Sequence, residues 1–256
     1  MRLIIWLARL LNIAYYHCRG FLDKFGFKTN WSSEVGQYFG ISVREAEKRY
    51  QGKRLEAARL WNKKNRTTEK QIQSFYQETD YFVYRQTYFH RLKIYLDLAV
   101  PLLLKRRGRF CEYGGGVGPF TKFLLPFFPG WKFTIADLDC PVFDFAKWRF
   151  RKNRRVTFVT VTPTKLPLKE KYDVITCKQV LEHVSQPLKV IKHLTDHLNP
   201  EAWIYLDYIY HPGRENLVKG ARQRRQVLGY LSKNLKPIFA IDPDNPEEGY
   251  GLYLKP

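Results

Sequence analysis

The stretch Arg109-Phe110-Cys111-Glu112-Tyr113-Gly114-Gly115-Gly116-Val117-Gly118-Pro119-Phe120-Thr121 constrains this chain more than any other. Short apolar residues run into an acid, glycines then alternate, and an apolar run from Phe120 to Leu125 follows. That order predicts a strand, a tight turn and a helix. Glycine allows the chain to turn with positive φ and lets a ligand approach the backbone closely. Dinucleotide folds use a similar turn, but with Gly-x-Gly-x-x-Gly spacing and a pyrophosphate over the helix N-terminus. Here the spacing is Glu-x-Gly-x-Gly-x-Gly. The carboxylate of Glu112, at the end of the strand, suits a cationic group and would repel a pyrophosphate.

Four further segments continue the pattern. Trp131 to Asp137 reads as a second strand, its terminal acid about 20 residues beyond the glycine turn, the distance expected when one helix separates two adjacent strands. Val156 to Val161 is a β-branched third strand, and Lys171 to Cys177 a fourth. After Lys178-Gln179-Val180-Leu181-Glu182-His183-Val184 a helix is expected to about Leu198, then a fifth strand over Trp203 to Tyr208. Pro237 to Ile241 and Gly251 to Lys255 are suited to a closing antiparallel pair.

These elements in this order resemble the class I S-adenosylmethionine-dependent methyltransferases, and the resemblance covers roughly Arg107 to the C-terminus. It implies an α/β fold: a Rossmann-like, mostly parallel seven-stranded sheet with helices on both faces. It also implies S-adenosylmethionine as cofactor, held by Glu112, Tyr113, Gly114, Gly116 and Gly118 of the turn, with Glu112 pairing with the methionyl amino group. By the same resemblance Asp137 hydrogen-bonds the ribose hydroxyls, Leu138 lies against the adenine, and Thr162 and Lys178 complete the cofactor contacts. Family members commonly carry an acid where Thr162 stands, ahead of Leu166-Pro167, and a Pro-Gly-Gly turn where Asn199-Pro200-Glu201-Ala202 stands. Both departures predict local differences.

Methyl transfer from a sulfonium needs alignment and, for a hydroxyl acceptor, removal of a proton. His183, in the segment resembling the family's Leu-Glu-His-Val element, is the candidate base, because a neutral imidazole accepts a proton near pH 7. The bland alternative is that Glu182 and His183 only orient the following helix. Asp207, Tyr208 and His211 are secondary candidates. Ubiquinone-type relatives bind a metal with the help of an earlier Glu; Gln179 stands there, so no metal site is expected. The Asn/Asp-Pro-Pro-Tyr tetrapeptide of base-methylating enzymes is replaced by Cys177-Lys178-Gln179-Val180, which argues against a base amine as acceptor.

Ahead of this domain (105–256) the sequence predicts a helical extension or lid over 29–104. Ser42-Val43-Arg44-Glu45 has capping-box form and opens a helix to about Asn62. Thr68, with Gln71 three residues on, opens a second stretch rich in aromatics that runs to about Leu92. Most of those aromatics are expected in the core. Residues 1–28 predict a helix on which Arg2, Arg9 and Tyr16 share a narrow stripe with Ile5 and Asn12, while Leu3, Ile4, Trp6, Leu7, Leu10, Leu11 and Ala14 make the remainder apolar. Such a helix either lies on an anionic membrane surface or packs on the catalytic domain.

Forty-four Lys and Arg against 24 Asp and Glu give a formal net charge of +20. Such a field favours anionic partners. Part of it falls on 209–236, which reads as a basic insertion before the last strands. Four scattered cysteines without metal spacing predict a reducing, cytoplasmic compartment. The expectation is therefore a methyltransferase acting on a hydroxyl of a small-molecule or lipid-linked acceptor, peripheral on the cytoplasmic membrane face. An RNA methyltransferase and a non-catalytic Rossmann-like binding module remain alternatives.

Overall fold

The computed structural model describes residues 1–25, 29–63, 68–162, 166–209, 220, 222–245 and 250–256. Six helices come first: α1 (Arg2–Lys24), α2 (Trp31–Phe39), α3 (Val43–Lys63), α4 (Glu69–Glu78), α5 (Tyr81–His90) and α6 (Leu96–Leu103). Strands and helices then alternate as β1 (Gly108–Tyr113), α7 (Pro119–Leu124), β2 (Trp131–Leu138), α8 (Pro141–Phe150) and β3 (Val156–Val161). The chain continues as β4 (Tyr172–Cys177), a 3-10 turn (Leu181–His183), α9 (Pro187–Asp196), β5 (Leu198–Leu206), α10 (Arg224–Asn234), β6 (Lys236–Phe239) and β7 (Gly251–Leu254).

Among the described residues the sheet has seven strands in the order β3-β2-β1-β4-β5-β7-β6. The neighbours from β3 through β5 pair parallel, while β7 runs antiparallel to both β5 and β6. Successive residues of the central strands enter opposite cores. Phe110, Phe133 and Val174 join one cluster with Phe120 of α7 and Phe143 of α8, whereas Cys111, Ile175 and Ile204 join another with Ile191 of α9 and Leu228 of α10. This period of two, with both faces covered by helices, is why the parallel strands are almost continuously apolar. Between β1 and β4 the strand order reverses, and in open α/β sheets the crevice beyond the strand ends at such a point receives ligands.

Three expectations are revised by packing. The helical stretch opened by Thr68 divides at Thr79, whose backbone is extended and whose hydroxyl accepts from the Tyr81 N–H (3.2 Å), giving α4 and α5 instead of one helix. Asn199 to Ala202 is not a free turn: it belongs to β5, where a register shift and Glu201 at φ 57° do the work of the missing glycines. The expected basic insertion contains α10, whose Val227, Leu228 and Leu231 are core residues. Residues 210–219 and 221 of that stretch, and with them His211, lie outside the described residues.

The N-terminal helix packs by its polar stripe. Ile5 is fully buried, the Arg2 guanidinium donates to the Pro237 carbonyl (3.1 Å), and Asn12 both donates to Asp97 Oδ1 (2.8 Å) and accepts from Leu96 N–H (2.9 Å). Its apolar remainder is turned outward: Leu3 is 66% exposed, Leu11 58% and Phe21 61%. Among the described residues no helix is long and apolar enough to cross a membrane.

Candidate cofactor and acceptor site

The glycine turn leaves β1 at the reversal point. Gly114, Gly116 and Gly118 have φ of 68°, 51° and 69°, the left-handed region in which a side chain is strained. At Gly114 a Cβ would also stand 2.1 Å from Val180 Cγ2, so the turn is closed against the segment after β4. The Gly114 N–H donates to Ala136 O (2.7 Å), which joins the turn to the end of β2. Asp137 then holds its second half. One carboxylate oxygen accepts from Gly116 N–H (2.5 Å) and the other from Leu138 N–H (2.7 Å). Burial pushes the Asp137 carboxyl up to about 6 from its ordinary 3.8, with these two backbone donors opposing the rise.

Glu112, expected to meet a ligand amino group, turns toward its own chain. Its carboxylate accepts from Phe120 N–H (3.1 Å), Thr121 N–H (2.9 Å) and the Thr121 hydroxyl (2.7 Å), capping α7. A helix N-terminus attracts a carboxylate because its first N–H groups have no partner within the helix. Burial nevertheless pushes Glu112 up to about 7. Its side chain is thus a brace between strand and helix that sets the shape of the turn.

Two supports lay beyond sequence reasoning. Gln86, on α5, accepts from Val117 N–H (3.0 Å) and fills the space where a Gly116 Cβ would be, at 2.1 Å. Arg149, on α8, donates to Val117 O (2.5 Å) while its other nitrogens meet both oxygens of Glu34 on α2 (2.6 and 2.9 Å). The helical extension therefore grips the turn from outside the sheet. Neither contact has a local sequence signal, since each joins residues about 30 or more positions apart.

Residues 84–239 match the family model described as a methyltransferase domain. The chain belongs to this methyltransferase family. Its cofactor is S-adenosylmethionine, and the cradle fits that group. Asp137 has lone pairs left beyond its two backbone bonds and no cation paired with it among the described residues, the condition for accepting from a diol. Similar folds occur in solved structures. The N-methyltransferase NodS from Bradyrhizobium japonicum, in complex with S-adenosyl-l-homocysteine, is 15% identical over 68% of this chain and 88% of NodS, with TM-score 0.47. The pyocyanin biosynthetic protein PhzM is 15% identical over 69% of this chain and 56% of PhzM, with TM-score 0.45. An O-methyltransferase family 2 protein from Planctomyces limnophilus, in complex with apigenin, is 16% identical over 58% of this chain and 51% of that one, with TM-score 0.43. The methyltransferase chain thus spans little more than half the length of the last two. No curated protein sequence matches it.

The remaining predicted residues distribute around this methyltransferase cradle. Tyr113 and Leu138 end β1 and β2, and Thr162 directly follows β3. Lys178 sits on the wall of a cavity with Asp207 and Tyr250, on the side of β4 facing β5 and β7. Asp207 accepts from the Gln179 N–H (2.5 Å), and Gln179 adopts φ 57° to make this contact. His183 lies in the 3-10 turn, its Nε2 3.8 Å from Glu182 Oε1 and its ring 6.2 Å from that of Tyr76 on α4. Ser185, two residues on, donates its N–H to Glu69 at the start of α4 (2.9 Å), so α4 covers this turn. Tyr208 is buried, and its hydroxyl is committed to Gly220 O (2.5 Å). Among the described residues no group of three or more His, Cys, Asp or Glu is arranged to hold a metal ion.

Proposed function

We propose that this methyltransferase transfers the methyl group to a hydroxyl of a small or lipid-linked acceptor while α1 lies on the cytoplasmic face of a membrane. The observation that carries the membrane part is the inverted docking of α1. A helix that merely covers a domain buries its apolar face. Here the polar stripe is docked and the apolar face, with Leu3, Ile4, Trp6, Leu7, Leu11 and Phe21, is left to solvent. An apolar patch of this extent on one helix marks an interaction surface. Trp6 and Tyr15 suit the membrane–water interface, and a net charge of +20 favours an anionic leaflet.

When bound, S-adenosylmethionine supplies an activated methyl group. The glycine turn would admit its methionyl part, Asp137 would accept the ribose hydroxyls, and Leu138 would lie against the adenine. Glu112 is a positioning residue that acts through α7. His183 receives the hydroxyl proton at Nε2, and the neighbouring Glu182 carboxylate favours the imidazolium that results. The 3-10 turn and the cover from α4 hold that ring at the C-terminal edge of β4.

Two measurements on the full chain test the proposal. Titration calorimetry is expected to detect micromolar S-adenosylmethionine binding; none at millimolar concentration would leave a non-catalytic binding module. Flotation with vesicles of phosphatidylcholine and phosphatidylglycerol is expected to carry the wild type, and the doubly substituted Leu7→Glu/Leu11→Glu chain at least about tenfold less, since a charge on the inserted face loses both burial and complementarity. Flotation unaffected by these substitutions would sink the membrane part. Steeply salt-dependent RNA binding without vesicle binding would replace it with an RNA acceptor.

A further inference from the structure

On the inner side of α1 a cavity of about 680 Å³ separates the helix from the C-terminal edge of the sheet. Arg2 and Arg9 enter it from α1, Lys178 from just beyond β4, Asp207 from just beyond β5, Phe239 from the end of β6 and Tyr250 from just before β7. Three cations against one carboxylate leave an excess of two positive charges on its walls. The Arg9 guanidinium lies over the Tyr250 ring, 3.7 Å from its centroid, and Lys178 Nζ is 5.3 Å from the same centroid. Two cations therefore crowd one ring. Tyr250 is itself anchored, donating from its hydroxyl to Asp97 Oδ2 (3.2 Å). Asp207, the one carboxylate on the wall, is engaged by the Gln179 N–H.

This crowding of like charge is unfavourable by itself. It is also what the inverted docking of α1 produces: the stripe that faces the sheet is the stripe that carries Arg2 and Arg9. A guanidinium stacked on a ring keeps its edge donors available, and arginine matches the oxygens of a phosphate in pairs. The excess charge matches a phosphate group, and the volume exceeds what one phosphate needs, leaving room for the part of the acceptor that bears the reacting hydroxyl.

We infer that this cavity binds a phosphate group of the acceptor, with Arg2, Arg9 and Lys178 as its donors. The inference rests on the acceptor reading proposed above and sharpens it from any hydroxyl compound to a phosphorylated one. The source of that phosphate is either a lipid headgroup or a free phosphate ester. For a lipid, α1 separates the two halves of the ligand by about one helix diameter, roughly 10 Å, with headgroup on its polar side and acyl chain along its apolar side.

The test uses the full-length protein and three probes: inorganic phosphate, glycerol 3-phosphate, and phosphatidylcholine vesicles containing phosphatidic acid. Wild type is expected to bind the phosphate probes by calorimetry. Arg9→Gln and Lys178→Gln are each expected to weaken that binding at least about tenfold and Arg9→Lys less, with the circular-dichroism spectrum still folded, and Arg9→Gln is expected to leave S-adenosylmethionine affinity unchanged. Phosphatidic acid bound in preference to both soluble probes identifies a lipid headgroup, and the reverse a soluble ester. Leu7→Glu/Leu11→Glu separates the two readings, because it removes vesicle binding but leaves inorganic phosphate binding intact. The inference is overturned if wild type binds no phosphate probe, or if folded Arg9→Gln and Lys178→Gln bind as wild type. A Lys178→Gln variant that loses S-adenosylmethionine instead would assign Lys178 to the cofactor and overturn its part in the phosphate site.

Discussion

Glu112 and Thr121 are joined twice: one carboxylate oxygen accepts both the backbone N–H (2.9 Å) and the hydroxyl (2.7 Å) of Thr121, tying the end of β1 to the first turn of α7. Burial holds the carboxyl at about 7 in the folded protein against an ordinary 4.5. The folded state therefore keeps a proton that the unfolded chain has released, and this group's contribution to stability falls as pH rises from 4.5 through 7. The slope is at most about 1.4 kcal/mol per pH unit. Glu112→Gln removes this dependence. Urea unfolding across that window is expected to show wild type losing stability relative to the variant as pH rises, whereas a pH-independent difference would mean an ordinary carboxylate.

Gly114 and Gly40 have nearly the same φ, 68° and 65°, and opposite surroundings. A Cβ at Gly40 meets nothing within 4 Å, while at Gly114 it would strike Val180 Cγ2 at 2.1 Å. Gly40→Ala is expected to cost only the backbone strain, about 1–2 kcal/mol, and to leave S-adenosylmethionine binding as in wild type. Gly114→Ala must also displace the segment after β4, so cofactor affinity should fall at least about tenfold. Calorimetry alongside thermal melts separates the two effects. Equal cofactor affinities in both variants would move the cofactor away from this turn.

The Arg149–Glu34 pair is expected to matter for both stability and the cofactor. Arg149 is nearly buried, and Arg149 and Lys122 hold the Glu34 carboxyl below its usual range although burial opposes this. Glu34→Gln leaves the guanidinium with weakened compensation and should lower the unfolding free energy by about 2–4 kcal/mol. Because the same guanidinium supports Val117 O, affinity for S-adenosylmethionine should fall too. Adding Arg149→Met should recover part of the stability but not the affinity, as measured by urea unfolding and calorimetry.

How much of this was legible in the sequence depended on the range of the forces involved. The first four strands of the parallel half were legible to within a residue or two, because β-branched and aromatic runs between turn signals are local, and so were the turn and its glycines; β5, read as Trp203 to Tyr208, begins five residues earlier, at Leu198. The capping box at Thr68–Gln71 was equally local, and both of its hydrogen bonds are present. What local sequence left open was direction and partnership. The stripe on α1 was legible, but periodicity does not say which face meets the protein; that was decided by Asp97, Leu96 and Tyr250, far along the chain. Helix α10 was hidden because its basic surface residues outweighed Val227, Leu228 and Leu231 in composition. Glu112 was recognised as special, but its engagement with α7 depends on the turn bringing Thr121 back to it.

Asn12 is the residue that decides whether α1 stays inverted. Its side chain donates to Asp97 and accepts from Leu96 N–H, and Asp97 in turn accepts from the Tyr250 hydroxyl on which Arg9 rests. Asn12→Ala leaves a backbone donor and a mostly buried carboxylate without these bonds, at a cost of about 1–3 kcal/mol. That cost falls on the docking of α1, so hydrogen exchange in α1 should accelerate while exchange in β1, β2 and β4 stays slow. Vesicle flotation should persist, because the outward residues Leu7 and Leu11 are untouched, and affinity for inorganic phosphate should drop, because Arg2 and Arg9 lose their fixed position. Unchanged exchange in α1 would mean that Ile5 and the arginines hold the helix without Asn12.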